Sequence, residues 1–180
     1  LRRFADRCHR VGTTLLVDEA FLGFTDHPSL AGREGTIVAR SLTKLFGLPG
    51  IRTGYAVATG DTLDRLATAR RAWSMSAPAA ALGTHCYEAT GFIEQTRERV
   101  VRERERMRSR LDSRFDVFPS DAPFLLFDTG DASADGLLSA ARDHGIALRD
   151  ARTFRTLDSH IRVAVRLAEE NDQLLEQLHV

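Results

Sequence analysis

Arg40-Ser41-Leu42-Thr43-Lys44-Leu45-Phe46-Gly47-Leu48-Pro49-Gly50-Ile51-Arg52-Thr53-Gly54 lies between two short apolar runs, Thr36-Ile37-Val38-Ala39 before it and Tyr55-Ala56-Val57-Ala58 after it. Such runs, β-branched and bounded by turn residues, predict buried strands of a parallel sheet. The segment joining them is rich in Gly, Pro and hydroxyls, which predicts a loop. A third run, Thr14-Leu15-Leu16-Val17, ends in Asp18-Glu19 and so places acids at a strand's carboxyl end. Ligands of open α/β sheets collect at the carboxyl ends of strands, and that directs attention to Asp18 and to the loop from Ser41 to Arg52.

Upstream, the apolar residues 1, 4, 8 and 11 have the spacing of one helix face. Downstream, Asp61 caps a helix over residues 61–71, and a helix begins at Ala77 with Pro78 in its first turn. Residues 92–115 are dominated by Arg and Glu, with apolar positions at 92, 93, 100, 101, 107, 111 and 115. Helix-spaced Glu/Arg pairs account for this stretch better than a nucleic-acid surface does, because the glutamates neutralise much of its charge. After it come strands at 116–118 and 123–127, a helix at 133–144, strands near 146–149 and 161–165, and a closing helix at 169–178. The expected fold class is α/β, a mainly parallel sheet with helices followed by a small carboxy-terminal α/β domain. The boundaries follow as 1–90, a bridging helix at 91–115, and 116–180.

Lys plus Arg and Asp plus Glu both number 25, so the net charge is zero and neither nucleic acid nor a membrane surface is implied as partner. Small molecules or other protein chains are expected instead. Cys8 and Cys86 form no ligand or disulfide pattern, which fits a reducing cytoplasm, and no metal site is expected. No apolar run approaches the roughly 20 residues that span a bilayer, and the sequence reads as a soluble protein. Among the 25 basic residues Lys44 is the single lysine.

A lysine that condenses with an aldehyde must be reachable and held by a stiff loop. A site for pyridoxal phosphate (PLP) also needs hydroxyls and an arginine for the phosphate, and a carboxylate that keeps the ring nitrogen protonated. Ser41, Thr43, Lys44 and Arg52 lie on one loop in an order able to meet phosphate and aldehyde together, and Asp18 can supply the carboxylate.

These residues carry a resemblance. Val17-Asp18-Glu19-Ala20-Phe21, Ser41-Leu42-Thr43-Lys44, and Leu48-Pro49-Gly50-Ile51-Arg52-Thr53-Gly54-Tyr55 together resemble the fold-type I PLP enzymes of the class I/II aminotransferase family. The resemblance implies that Lys44 is catalytic and binds PLP covalently, that Asp18 partners the ring nitrogen, and that Ser41, Thr43 and Arg52 bind the phosphate. It also implies that Arg162 clamps the substrate carboxylate, a task suited to a forked guanidinium. Within the family, three features are most similar to the threonine-phosphate decarboxylases of cobalamin synthesis, with histidinol-phosphate aminotransferases as close kin. They are the segment 40–44, the pair Trp73-Ser74, and the tail from Leu148 to Arg166. In those decarboxylases an arginine matching Arg149 helps to bind the substrate phosphate. The implied substrate is a phosphorylated amino acid, and the implied assembly is a homodimer.

Phe21 stands where many of these aminotransferases have a tyrosine, and is itself similar to the decarboxylases. Ser76 replaces an asparagine that contacts substrate in the decarboxylases. The family pattern includes a further amino-terminal part that these residues lack, so residues 1–180 alone are expected to bind PLP weakly and to lack activity. Decarboxylation and transamination both stay open at this point. So do two readings of another class: an interaction module without catalysis, and an ATPase fragment in which Val17-Asp18-Glu19-Ala20 is a Walker B strand end. The second would need a phosphate loop that the sequence does not contain.

Overall fold

The structure is a computed structural model describing residues 1–180, which form two compact units, Leu1–Glu94 and Gln95–Val180. The first holds α1 (Arg2–Arg10), β1 (Leu15–Asp18), β2 (Thr36–Ser41), α2 (Leu42–Leu45), β3 (Gly54–Val57), α3 (Gly60–Ala69) and α4 (Ala77–Glu88). Its sheet has the order β1-β2-β3, with β1 parallel to β2 and β3 antiparallel to it. The third run therefore returns beside the second instead of continuing a parallel sheet. A parallel return needs a crossover of a dozen or more residues, usually through a full helix, and the link here contains one turn of α2 and one 3₁₀ turn at Pro49–Ile51.

Alternation along the strands divides the sheet into two faces. Leu15, Val17, Val38 and Val57 pack with Leu30 and with Ala5 of α1. The opposite face carries Leu16, which is 67% exposed, together with Ile37 and Ala56. The apolar runs are thus buried on one side only. In α1 the stripe 1, 4, 8, 11 is not the packed side: Leu1, Phe4 and Val11 are exposed, and the buried residue is Ala5. The helix lies so close to the β1–β2 connection that a Cβ on Gly35 would stand 2.7 Å from His9 Nδ1.

A contiguous exposed apolar surface drives association in water. Isolated residues 1–180 are therefore expected to self-associate with rising concentration in sedimentation velocity, and Leu16→Asp is expected to reduce this. A monodisperse monomer at high concentration would refute the expectation.

The second unit is reached along α5 (Thr90–Leu111), inside which the boundary between the units falls. It contains β4 (Asp116–Val117), β5 (Phe124–Asp128), α6 (Ala134–Asp143), β6 (Arg149–Asp150), β7 (His160–Ala164) and α7 (Ala168–Gln177). The sheet order is β4-β5-β7-β6, antiparallel throughout. Leu125 and Phe127 of β5 and Ile161 and Val163 of β7 are buried, and the Phe127 ring stacks on Phe115 with centroids 4.8 Å apart. Glu103 of α5 is buried and accepts bonds from Arg106 Nη2 at 2.8 Å and from Asn171 Nδ2 of α7 at 3.0 Å. The Arg106 bond leads in holding the Glu103 carboxyl below its usual range.

The strand expected near 146–149 forms only at Arg149–Asp150, because Gly145 adopts φ +75° and the chain is still leaving α6. His160 is a buried strand residue whose ring lies 5.4 Å from that of Phe118. No helix is long and apolar enough to cross a membrane.

Candidate active site

Asp18 closes β1 and Ser41 closes β2. Asp18 is level with Ala39 in the parallel ladder and Ser41 follows two residues later, so alternation places both side chains on the open face of the sheet. Asp18 is exposed, and its Oδ1 accepts the Ala20 amide at 2.9 Å, which turns the chain as it leaves the strand. Ser41 caps α2: its Oγ accepts the Thr43 amide at 3.3 Å and lies 2.7 Å from Thr43 Oγ1. Two hydroxyls therefore stand together at the start of a one-turn helix.

The expected loop is stiffer than its composition suggests. Lys44 is the third residue of α2, and the segment around it is closed by bonds from Leu48 N to Thr43 O, Gly47 N to Lys44 O, and Leu42 N to Thr53 O. The Lys44 amine is exposed and lies 5.8 Å from the centroid of the Phe21 ring. This contact joins the segment after Asp18 to the lysine helix, and nothing in the sequence announced it.

Arg52 ends the 3₁₀ turn in the left-handed region, at φ 53° and ψ 40°, a conformation that costs a non-glycine residue about 1 kcal/mol. Strain of this kind marks places where the backbone is held for a purpose. The Arg52 guanidinium is exposed and donates to Pro49 O at 3.3 Å, which leaves most of its donors open. Two residues on, Gly54 pairs with Ser41, and a Cβ there would sit 2.6 Å from Arg40 O. Gly54→Ala must therefore push β3 away from the strand end that carries Ser41. The expected cost is about 1–3 kcal/mol of stability. An unchanged melting temperature would mean that the close approach is not real.

On the packed face of the sheet, one residue along from each of these groups, Glu19 and Arg40 form an ion pair. Glu19 Oε2 accepts Arg40 Nη2 at 2.9 Å and Nε at 3.1 Å and Ser29 Oγ at 2.7 Å, and Oε1 accepts the Leu30 amide at 2.8 Å. Burial pushes the Glu19 carboxyl up, but its hydrogen bonds and Arg40 together hold it below its usual range. No motif in the sequence marks this pair. The period-2 alternation from Asp18 to Glu19 and from Arg40 to Ser41 was the available signal.

A cavity of about 370 Å³ lined by Leu42, Thr53, Tyr55, Met75 and Tyr87 lies in the same unit. It includes neither Lys44 nor Asp18, and its apolar lining offers no charge to an anion, so the constellation of side chains and not the cavity defines the candidate site.

In the second unit, Arg149 of β6 is the direct cross-strand partner of Arg162 of β7. Both side chains therefore rise on one face, away from buried Ile161 and Val163. Arg149 Nη2 donates to Thr153 Oγ1 at 3.1 Å and its guanidinium lies 5.5 Å from the Phe154 ring centroid, while that of Arg162 lies 4.8 Å from the Phe124 ring centroid. Nearby Arg152, by contrast, is taken up by Asp135 and Asp150. Like charges directly opposite each other in a sheet are destabilising, which makes the pair a natural seat for anions. Arg166 lies beyond the strand and bonds Glu170.

Comparison with known proteins places these features in context. The family model for aminotransferase class I and II matches residues 1–178. The chain is 32% identical to histidinol-phosphate aminotransferase 2 of Archaeoglobus fulgidus, over 91% of this chain and 48% of that protein. It is also 32% identical to the threonine-phosphate decarboxylase of Salmonella typhimurium, over 99% of this chain and 51% of that protein. The solved histidinol-phosphate aminotransferase of Clostridium acetobutylicum superposes with a TM-score of 0.89 at 25% identity, covering 98% of this chain and 56% of that one. The chain spans about half the length of the curated relatives it matches.

Proposed function

The chain belongs to the aminotransferase class I and II family, whose enzymes work with PLP, and we propose that Lys44 binds that cofactor while Arg149 and Arg162 hold an amino acid with two anionic ends. The donor set fits PLP on chemical grounds. A primary amine, two adjacent hydroxyls, an open guanidinium and an exposed carboxylate are present, and Asp18 and Ser41 share one face of one sheet. Ser41, Thr43 and Arg52 would hold the phosphate, and Asp18 would keep a proton on the ring nitrogen. Bound PLP supplies an aldehyde for the substrate amine and a ring that accepts the electron pair released at the α-carbon. Lys44, displaced by the substrate amine, is the group able to take a proton from that carbon or return one to it. Residues 1–90 would then be part of the cofactor-binding domain, 91–115 a bridging helix and 116–180 the small domain, with the working enzyme a homodimer.

The cross-strand Arg149–Arg162 pair carries the choice of substrate. L-Threonine O-3-phosphate has both a carboxylate and a phosphate, one for each guanidinium, whereas histidinol phosphate has only the phosphate. The proposed reaction is accordingly decarboxylation of L-threonine O-3-phosphate. Each guanidinium would take one anionic end of the substrate, and that orientation would select the α-carbon bond that breaks. Amino transfer from histidinol phosphate is the second reading, favoured by the likeness to the Archaeoglobus protein. The complete enzyme, loaded with PLP, should release carbon dioxide from L-threonine O-3-phosphate. It should transfer no amino group from histidinol phosphate to 2-oxoglutarate. The reverse pattern would replace the first reading with the second, and inactivity toward both would remove the phosphorylated substrate from the proposal.

A further inference from the structure

We propose that Glu19 and Arg40 are a positioning pair that fixes the distance between Asp18 and the Ser41–Lys44 segment, and thereby sets cofactor affinity. This rests on the reading of those residues as the PLP site. The two strands that present the site run out through matched couples, Asp18 at the end of β1 with Glu19 just beyond it, and Arg40-Ser41 at the end of β2. Alternation sends Asp18 and Ser41 to the open face, and Glu19 and Arg40 to the packed face. The groups that would meet the two ends of the cofactor thus stand back to back with an ion pair. At the level of Glu19 the ladder is in its last bond, Glu19 N to Ala39 O at 2.8 Å, and beyond it the chain turns away. Past that point it is the carboxylate of Glu19 that ties the end of β1 to Arg40, one residue before Ser41.

The same carboxylate accepts Ser29 Oγ and the Leu30 amide, so the returning segment is anchored at the same point. Glu19 is only 7% exposed. A buried ion pair adds little net stability, because desolvation offsets the attraction, whereas its geometry is demanding. Arg40 contributes two donors to a single oxygen, a fork that an ammonium cannot reproduce. A pair of this kind, at the junction of two ligand-bearing strand ends, is suited to holding register.

The test uses the complete enzyme, prepared without cofactor, as wild type, Glu19→Gln, Arg40→Gln, the double variant and Arg40→Lys. Three quantities are read: the PLP dissociation constant by titration, the pH dependence of the bound cofactor's visible absorbance, and the melting temperature of the cofactor-free protein. Each single change to Gln should weaken PLP binding roughly tenfold to a hundredfold, the scale on which outer partners that orient a ligand group act in metal sites. The double variant should bind no worse than the weaker single one, and the absorbance profile should move in all three. Arg40→Lys should melt near wild type yet bind PLP more weakly, and it decides the matter if a Gln variant fails to fold. Unchanged affinity and absorbance with only lower melting temperatures would overturn the proposal, as would additive losses of affinity. Wild-type enzyme that binds no PLP at Lys44 would instead overturn the reading on which the proposal stands.

Discussion

Replacing Lys44 by alanine in the complete enzyme is expected to abolish covalent attachment of PLP and to lower turnover by at least about a thousandfold, equivalent to roughly 4 kcal/mol of transition-state stabilisation. The sequence contains no other lysine, so these residues offer no substitute amine. The fold should be unaffected, because the side chain is exposed and its closest aromatic neighbour, Phe21, is a surface contact of about 0.5 kcal/mol. Lys44→Arg is the informative companion: it keeps the positive charge over Phe21, but a guanidinium does not lose its proton and cannot condense with an aldehyde. Borohydride reduction followed by peptide mapping checks the assignment directly, and cofactor fixed to any other residue would defeat it.

Asp18→Asn should leave PLP bound and catalysis crippled, also by about a thousandfold. The structure makes this substitution unusually clean. The Asp18 side chain accepts the Ala20 amide at Oδ1, and an asparagine oxygen accepts it equally well, so the turn after β1 persists. What disappears is the negative charge that would hold a proton on the ring nitrogen. The loss should therefore fall on kcat, with cofactor affinity and melting temperature close to wild type. Turnover near the wild-type level would mean that Asp18 is merely an acid at a strand end.

Much of this was legible from short-range signals. The three apolar runs of the first unit became strands, and the Gly- and Pro-rich segment became the connection that carries the lysine, because turn residues and β-branched residues act locally. What was not legible depended on what lies opposite each element. The helix stripe at Leu1, Phe4 and Val11 has the right period for a buried face, yet Ala5 is the residue that packs, against Leu30 and Val38. The antiparallel return of β3 goes with a one-turn α2, whose shortness cannot be read from composition. Of the candidate site, the residue types were visible in the sequence. The face shared by Asp18 and Ser41, the contact of Phe21 with Lys44 and the register that sets Arg149 against Arg162 emerge only from strand pairing and tertiary packing.

The opposed arginines of β6 and β7 have a consequence for how salt acts on this protein. With no anion between them, each guanidinium raises the energy of the other, so part of the attraction felt by an incoming dianion is relief of a repulsion already present. Dissolved salt screens both effects at once, weakening the pull on an anion and easing the repulsion between the two guanidiniums. On the proposed reading of this pair, raising ionic strength should accordingly loosen substrate less steeply than two isolated cationic contacts would, while oxyanions such as sulfate, which both guanidiniums attract, should act as competitors and as stabilisers of the unit together.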